Sequence, residues 1–167
     1  MVIIAAAFAG VFPVQAQDNL LSMEVREAYQ TVKNNILRSA EKMPEENYGF
    51  KPAPRVRTFG QILGHLAEEQ YFFCAPVKGE QKAVDVEKTK TSKADLIAAL
   101  KESFAYCDAI YDSMTDTVAQ QVLRRGESQR TKLRMLWGNV AHDGEHYGNL
   151  VTYLRIKGLV PPSTEGQ

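Results

Sequence analysis

Three histidines, His65, His142 and His146, are the only imidazoles in the chain. Two of them form His142-x-x-x-His146 inside the stretch with the clearest helical pattern. Four residues turn an α-helix by about 400°, so the two rings leave nearly the same face one turn apart. That is the spacing with which one helix offers two nitrogen ligands to a single metal ion. His65 lies between Ile62 and Leu66, which belong to the apolar stripe of another helical segment. If the two helices face each other, all three imidazoles converge and leave a coordination position open for water or substrate. The bland alternative is a set of histidines hydrogen-bonded at the rim of a core.

The surrounding side chains add less. Glu69, one turn after His65, is placed to orient an imidazole or hold a proton, although an ordinary interhelical carboxylate has the same spacing. Cys74 lies some 13 Å along the helix from His65 and on its opposite face, a poor place for a ligand. Gly138, one turn before His142, either permits close helix packing or leaves room above the histidines. Trp137 and the tyrosines are expected in the core. His142-Asp143-Gly144-Glu145-His146 matches the inverted zinc-protease pattern His-x-x-Glu-His. A peptidase of that kind takes its third ligand from a downstream glutamate, and the sole glutamate after His146 is Glu165, in the tail.

Four amphipathic helices have to position these groups. The first is expected from Asn19 to Lys42, with Val25, Val32 and Ile36 at helical spacing and Pro44 as its stop. The second starts at Thr58, where Thr58 and Gln61 form a capping box, and runs to Pro76. A polar loop, residues 78–91, leads to a second box at Ser92 and Asp95. The third helix carries Leu96, Leu100, Phe104, Cys107, Tyr111 and Met114. After a polar stretch containing Gly126, the fourth begins near Thr131 and runs through Leu133, Leu136, Trp137, Val140, Tyr147, Leu150, Val151 and Leu154, with the histidine pair beside the stripe of Trp137, Val140, Tyr147 and Val151. It ends at Lys157 and Gly158. No alternating strand pattern is present, so the expected fold is all-α, a four-helix bundle with long crossover loops.

The segments around the histidines are also recognisable. Thr58-Phe59-Gly60-Gln61-Ile62-Leu63-Gly64-His65-Leu66-Ala67 resembles the second helix of the DinB-like metal-binding four-helix bundles. His142-x-x-x-His146-Tyr147-Gly148-Asn149, followed by Tyr153-Leu154-Arg155, Gly158 and Pro161-Pro162, resembles their fourth. Glu45, Asn47-Tyr48 and Phe50-Lys51-Pro52 fit the connection between helices one and two. The resemblance implies one divalent metal ion, nickel or zinc, held by His65, His142 and His146. It implies a metal-dependent hydrolase or thiol-dependent transferase acting on a small molecule, or else a non-catalytic bundle whose ion is structural or sensory. It also implies a homodimer, which no residue here establishes.

Composition narrows the classes further. The chain has 167 residues, enough for one domain with a continuous core, and it is 44% apolar and 24% charged, as ordinary globular proteins are. Twenty basic and twenty acidic side chains cancel, which removes the electrostatic basis for a nucleic-acid or membrane-surface partner. Residues 1–16, MVIIAAAFAGVFPVQA, are apolar and uncharged. They end in a Val14-Gln15-Ala16 pattern that resembles a signal-peptidase site, although the positive n-region is missing. The run is too short to span a bilayer. Gly10, Pro13 and Gln15 argue against an extension of the first helix. Residues 1–16 are therefore expected to be a signal peptide and residues 17–167 the bundle, working outside the cytoplasm. Cys74 and Cys107 fit either compartment, as a disulfide or as two buried thiols.

Overall fold

The computed structural model describes residues 19–166; the expected signal segment lies outside them. Four long helices make the bundle: α1 (Leu20–Lys42), α2 (Phe59–Lys78), α4 (Lys93–Ser113) and α6 (Lys132–Ile156). Two four-residue helices, α3 (Val86–Thr89) and α5 (Asp116–Ala119), lie in the connections. α1 and α2 each pack on both α4 and α6. They therefore sit diagonally across the bundle, and the long connections are what carry the chain across it. The all-α four-helix reading holds.

Local chemistry sets the helix ends. Thr58 Oγ1 accepts from Gln61 N–H at 3.1 Å and Gln61 Oε1 from Thr58 N–H at 2.9 Å, the full reciprocal box. At α4 only half of the second box forms. Ser92 Oγ accepts the Asp95 N–H, but the Asp95 carboxylate takes the Ser92 hydroxyl. Aspartate, one methylene shorter than glutamate, is engaged there before it reaches the backbone. α2 does not stop at Pro76. It runs two residues further, to Lys78, and is capped by Gly79 in the left-handed conformation at φ 84°, because a proline in the last turn removes only one hydrogen bond.

The core holds Ile36, Phe59, Leu63, Leu66, Leu100, Phe104, Leu136, Leu150 and Leu154, all fully enclosed. Tyr29 stacks on Tyr111 with ring centroids 3.8 Å apart. Cys74 and Cys107 form a disulfide between α2 and α4. Three features depart from expectation. The loop of residues 78–91 contains α3, whose Val86 is buried against the bundle. The polar stretch after α4 contains α5 and a hairpin, β1 (Val122–Arg125) and β2 (Ser128–Thr131), in which Leu123 pairs with Arg130. Gly126 makes its turn at φ 59°, a value glycine adopts without steric cost. Finally, Trp137 is 51% exposed and not in the core. The buried stripe of α6 is Leu136, Asn139, Asp143, His146, Leu150 and Tyr153.

Candidate metal centre

α2 carries His65 and α6 carries His142 and His146, and the packing of these two helices brings the three rings together. Ring centroids are 5.0 Å apart for His65–His142, 4.8 Å for His65–His146 and 4.5 Å for His142–His146. One ring nitrogen from each lies within 4.8 Å of the others. His65 Nε2 and His142 Nε2 face each other at 3.1 Å. The expected convergence of the second and fourth helices on one point is what the fold produces.

A direct test of fit is geometric. Nitrogens 3.1 Å apart subtend roughly 98° at an ion ~2.05 Å from each, close to a tetrahedral angle. Protonation state agrees. Burial, the neighbouring imidazoles and the Arg57 charge push His142 down to about 4. Burial first, then Arg57 and His146, hold His65 below its ordinary value, and burial does the same for His146. All three rings are thus neutral at neutral pH, the state that ligates. Among the described residues the buried His142 Nδ1 has no hydrogen-bond partner, so hydrogen bonding to them does not account for where this ring sits. His65 keeps a side-chain exposure of 15%, so the cluster is not sealed from solvent.

These shifts carry a sign for stability. A histidine with a depressed folded-state value leaves the unfolded chain as the better proton acceptor, so acid costs stability between about 6.5 and the folded value. Relative to a His142→Ala variant, in which the other titrating groups are retained, the metal-free protein is therefore expected to lose unfolding free energy as pH falls from 6.5 to about 4. Urea melts at stepped pH check this; parallel profiles for the two proteins would contradict it. Asp143 acts in the opposite direction, with burial pushing it up to about 8.

Asp143 is fully enclosed beside His142 and belongs to a polar chain through the core. Gln70 Nε2 donates to its two oxygens at 2.8 and 3.0 Å, and Asn139 Nδ2 donates to Gln70 Oε1 at 2.9 Å. Asn139 Nδ2 also lies 3.3 Å from the Tyr111 hydroxyl, which donates to the Leu136 carbonyl at 2.9 Å. These bonds let the α6 stripe bury polar groups and set the rotation of the helix that aims His142 and His146.

The other sequence candidates resolve plainly. Glu69 makes no hydrogen bond to an imidazole among the described residues; burial, then Glu68, raises its carboxyl above the ordinary value. Glu145 is exposed, and Glu165 pairs with Arg38 and Lys42 on α1, so neither fills its peptidase role. Cys74 is in the disulfide. The room at Gly138 is taken by Phe73, whose Cε1 would sit 3.0 Å from an added Cβ; close packing is its role. The carboxylate that does face the cluster, Glu87 of α3, has Oε2 3.7 Å from His65 Nδ1. It was missed because a lone glutamate in a polar loop carries no periodic signal. Asn149 Nδ2 lies 3.3 Å from His146 Nδ1. Among the described residues no helix is long and apolar enough to cross a membrane.

The sequence profile described as the DinB superfamily matches residues 28–150. No curated protein matches. Among solved structures, a DinB-like protein from Bacillus cereus superposes with a TM-score of 0.72 at 14% identity, covering 84% of this chain and 95% of that one. A DinB-like protein from Bacillus subtilis gives 0.66 at 22% identity, covering 81% and 92%. A mycothiol-dependent maleylpyruvate isomerase gives 0.64 at 12% identity, and the match spans 77% of this chain and 60% of the isomerase. At these identities the likeness is one of fold.

Proposed function

The chain belongs to the DinB superfamily, and we propose that it binds one divalent ion, zinc or nickel, through His65, His142 and His146. The observation that carries this is the approach of His65 Nε2 and His142 Nε2 to 3.1 Å with His146 alongside. The ion serves a reaction on a small molecule, a hydrolysis or a thiol-dependent transfer. A divalent ion held by neutral imidazoles acidifies a water or thiol and polarises an electrophile. The chain's own part is to keep three rings neutral, hold them at one point and leave one side open. The thiol-dependent isomerase among the structural neighbours lends support to the transfer version.

A second reading has an observation in its favour. Among the described residues no acidic side chain hydrogen-bonds any of the three imidazoles, and the carboxylate that faces them, Glu87, is paired with Arg57. That favours a structural or sensory ion. Export through residues 1–16 is part of the proposal, and the Cys74–Cys107 disulfide supports it, since such bonds persist in oxidising compartments.

Elemental analysis of gently purified protein is expected to find about one zinc or nickel ion per chain, and far less in His142→Ala. Equal content in the two proteins would remove the site. Mass of the mature N-terminus in the native host tests export, and retention of residues 1–16 would contradict it.

A further inference from the structure

Gly64 immediately precedes His65 on α2, and an added Cβ there would lie 2.6 Å from Glu87 Cα and 3.0 Å from Glu87 N. Only glycine lets the α3 backbone come this close. The contact is locked from both sides: Glu87 N–H donates to Glu68 Oε1 at 2.7 Å, and Val86 is buried beneath it. Glu87 then spans two partners. Its Oε1 accepts from Arg57 Nε at 3.0 Å, and its Oε2 faces His65 Nδ1 at 3.7 Å. Arg57 is itself tied to α6, because the Tyr153 hydroxyl donates to its carbonyl at 2.6 Å.

We infer that Glu87 is a positioning residue for the three-histidine site, holding the proton of His65 on Nδ1 and so leaving Nε2 as the free donor. The inference rests on the metal-binding reading above. An imidazole ligates through one nitrogen only when its proton is on the other, and the group facing that other nitrogen decides the tautomer. Here Nε2 already points at His142 and a carboxylate faces Nδ1. Closing 3.7 Å to a hydrogen bond takes a shift of less than ~1 Å by a surface side chain. The grouping His65, Glu68 and Glu87 also has the spacing of a metal site. One oxygen of each carboxylate, however, is already engaged, Glu87 Oε1 by Arg57 and Glu68 Oε1 by the Glu87 N–H, which fits an outer shell better than a second ion.

Glu87→Gln is the informative change. Its single carbonyl oxygen goes to Arg57, and its amide N–H₂ then faces His65 Nδ1, favouring the tautomer with the proton on Nε2. Zinc affinity, read by chelator competition, is expected to fall about 10- to 100-fold, with metal-free thermal unfolding unchanged. Long-range ¹⁵N–¹H spectra of the metal-free proteins at neutral pH are expected to show His65 protonated on Nδ1 in the parent and shifted toward Nε2 in the variant. Unchanged zinc affinity together with unchanged tautomer populations would overturn the inference. So would two zinc ions per parent chain with one lost in the variant, since Glu87 would then be a ligand. If the parent binds no zinc, the metal reading fails, and the tautomer comparison still decides what Glu87 does to His65.

Discussion

Replacing His65 by alanine is expected to weaken zinc binding by roughly 100- to 1,000-fold, on the reading that three imidazoles hold one ion. Apparent zinc free energies of about 10–16 kcal/mol spread over four ligands put ~3–4 kcal/mol on each, which is that factor. The loss should be as large as for His142→Ala, although His65 is far away in sequence. That equality is the informative part. A pair of histidines on α6 acting alone would make His142→Ala severe and His65→Ala nearly silent. Chelator competition with zinc measures both, and unchanged far-UV circular dichroism guards against misfolding, because α2 is capped and packed independently of the ring.

The second large effect concerns the Cys74–Cys107 bond. It joins α2 to α4 across a sequence separation of 33 with Cα atoms 5.7 Å apart, a distance that suits a disulfide. Closing a loop of that length removes entropy from the unfolded chain worth about 3–4 kcal/mol. A Cys74→Ala/Cys107→Ala double variant is expected to lose stability of that order in urea melts, and reductant should destabilise the parent but not the variant. Equal midpoints for the oxidised parent and the variant would contradict this. Because the bond lies about two and a half turns from His65 on α2, on the opposite face, zinc affinity at low denaturant should change little, which separates the two predictions.

The helices and the histidine cluster were legible because both follow the helical repeat. Ile62, Leu63 and Leu66 at their spacing fix the face that His65 borders, Thr58 and Gln61 mark where α2 begins, and the four-residue step from His142 to His146 needs no tertiary knowledge. The rotation of α6 was not legible. An apolar count selects Leu136, Leu150 and Leu154, which the helix buries, but equally Leu133, Trp137 and Val140, whereas the helix buries Asn139 and Asp143 and exposes Trp137. Partners on other elements, Gln70 and Tyr111, take hydrogen bonds from the Asn139 amide or give them to the Asp143 carboxylate, and no local pattern announces a polar core. α3 escaped for a related reason. Four residues are too few to register a period, and what places Glu87 is a contact with Gly64 more than twenty residues earlier. The disulfide likewise depends on two helices meeting, not on the sequence around either cysteine.

The central claim is that His65, His142 and His146 share one ion. Anomalous diffraction at the zinc edge from crystals of the zinc-loaded protein tests it most directly. A single strong peak about 2.0–2.1 Å from one nitrogen of each ring is the predicted result. A peak among His65, Glu68 and Glu87, or rings of His142 and His146 turned away from any ion, would contradict it.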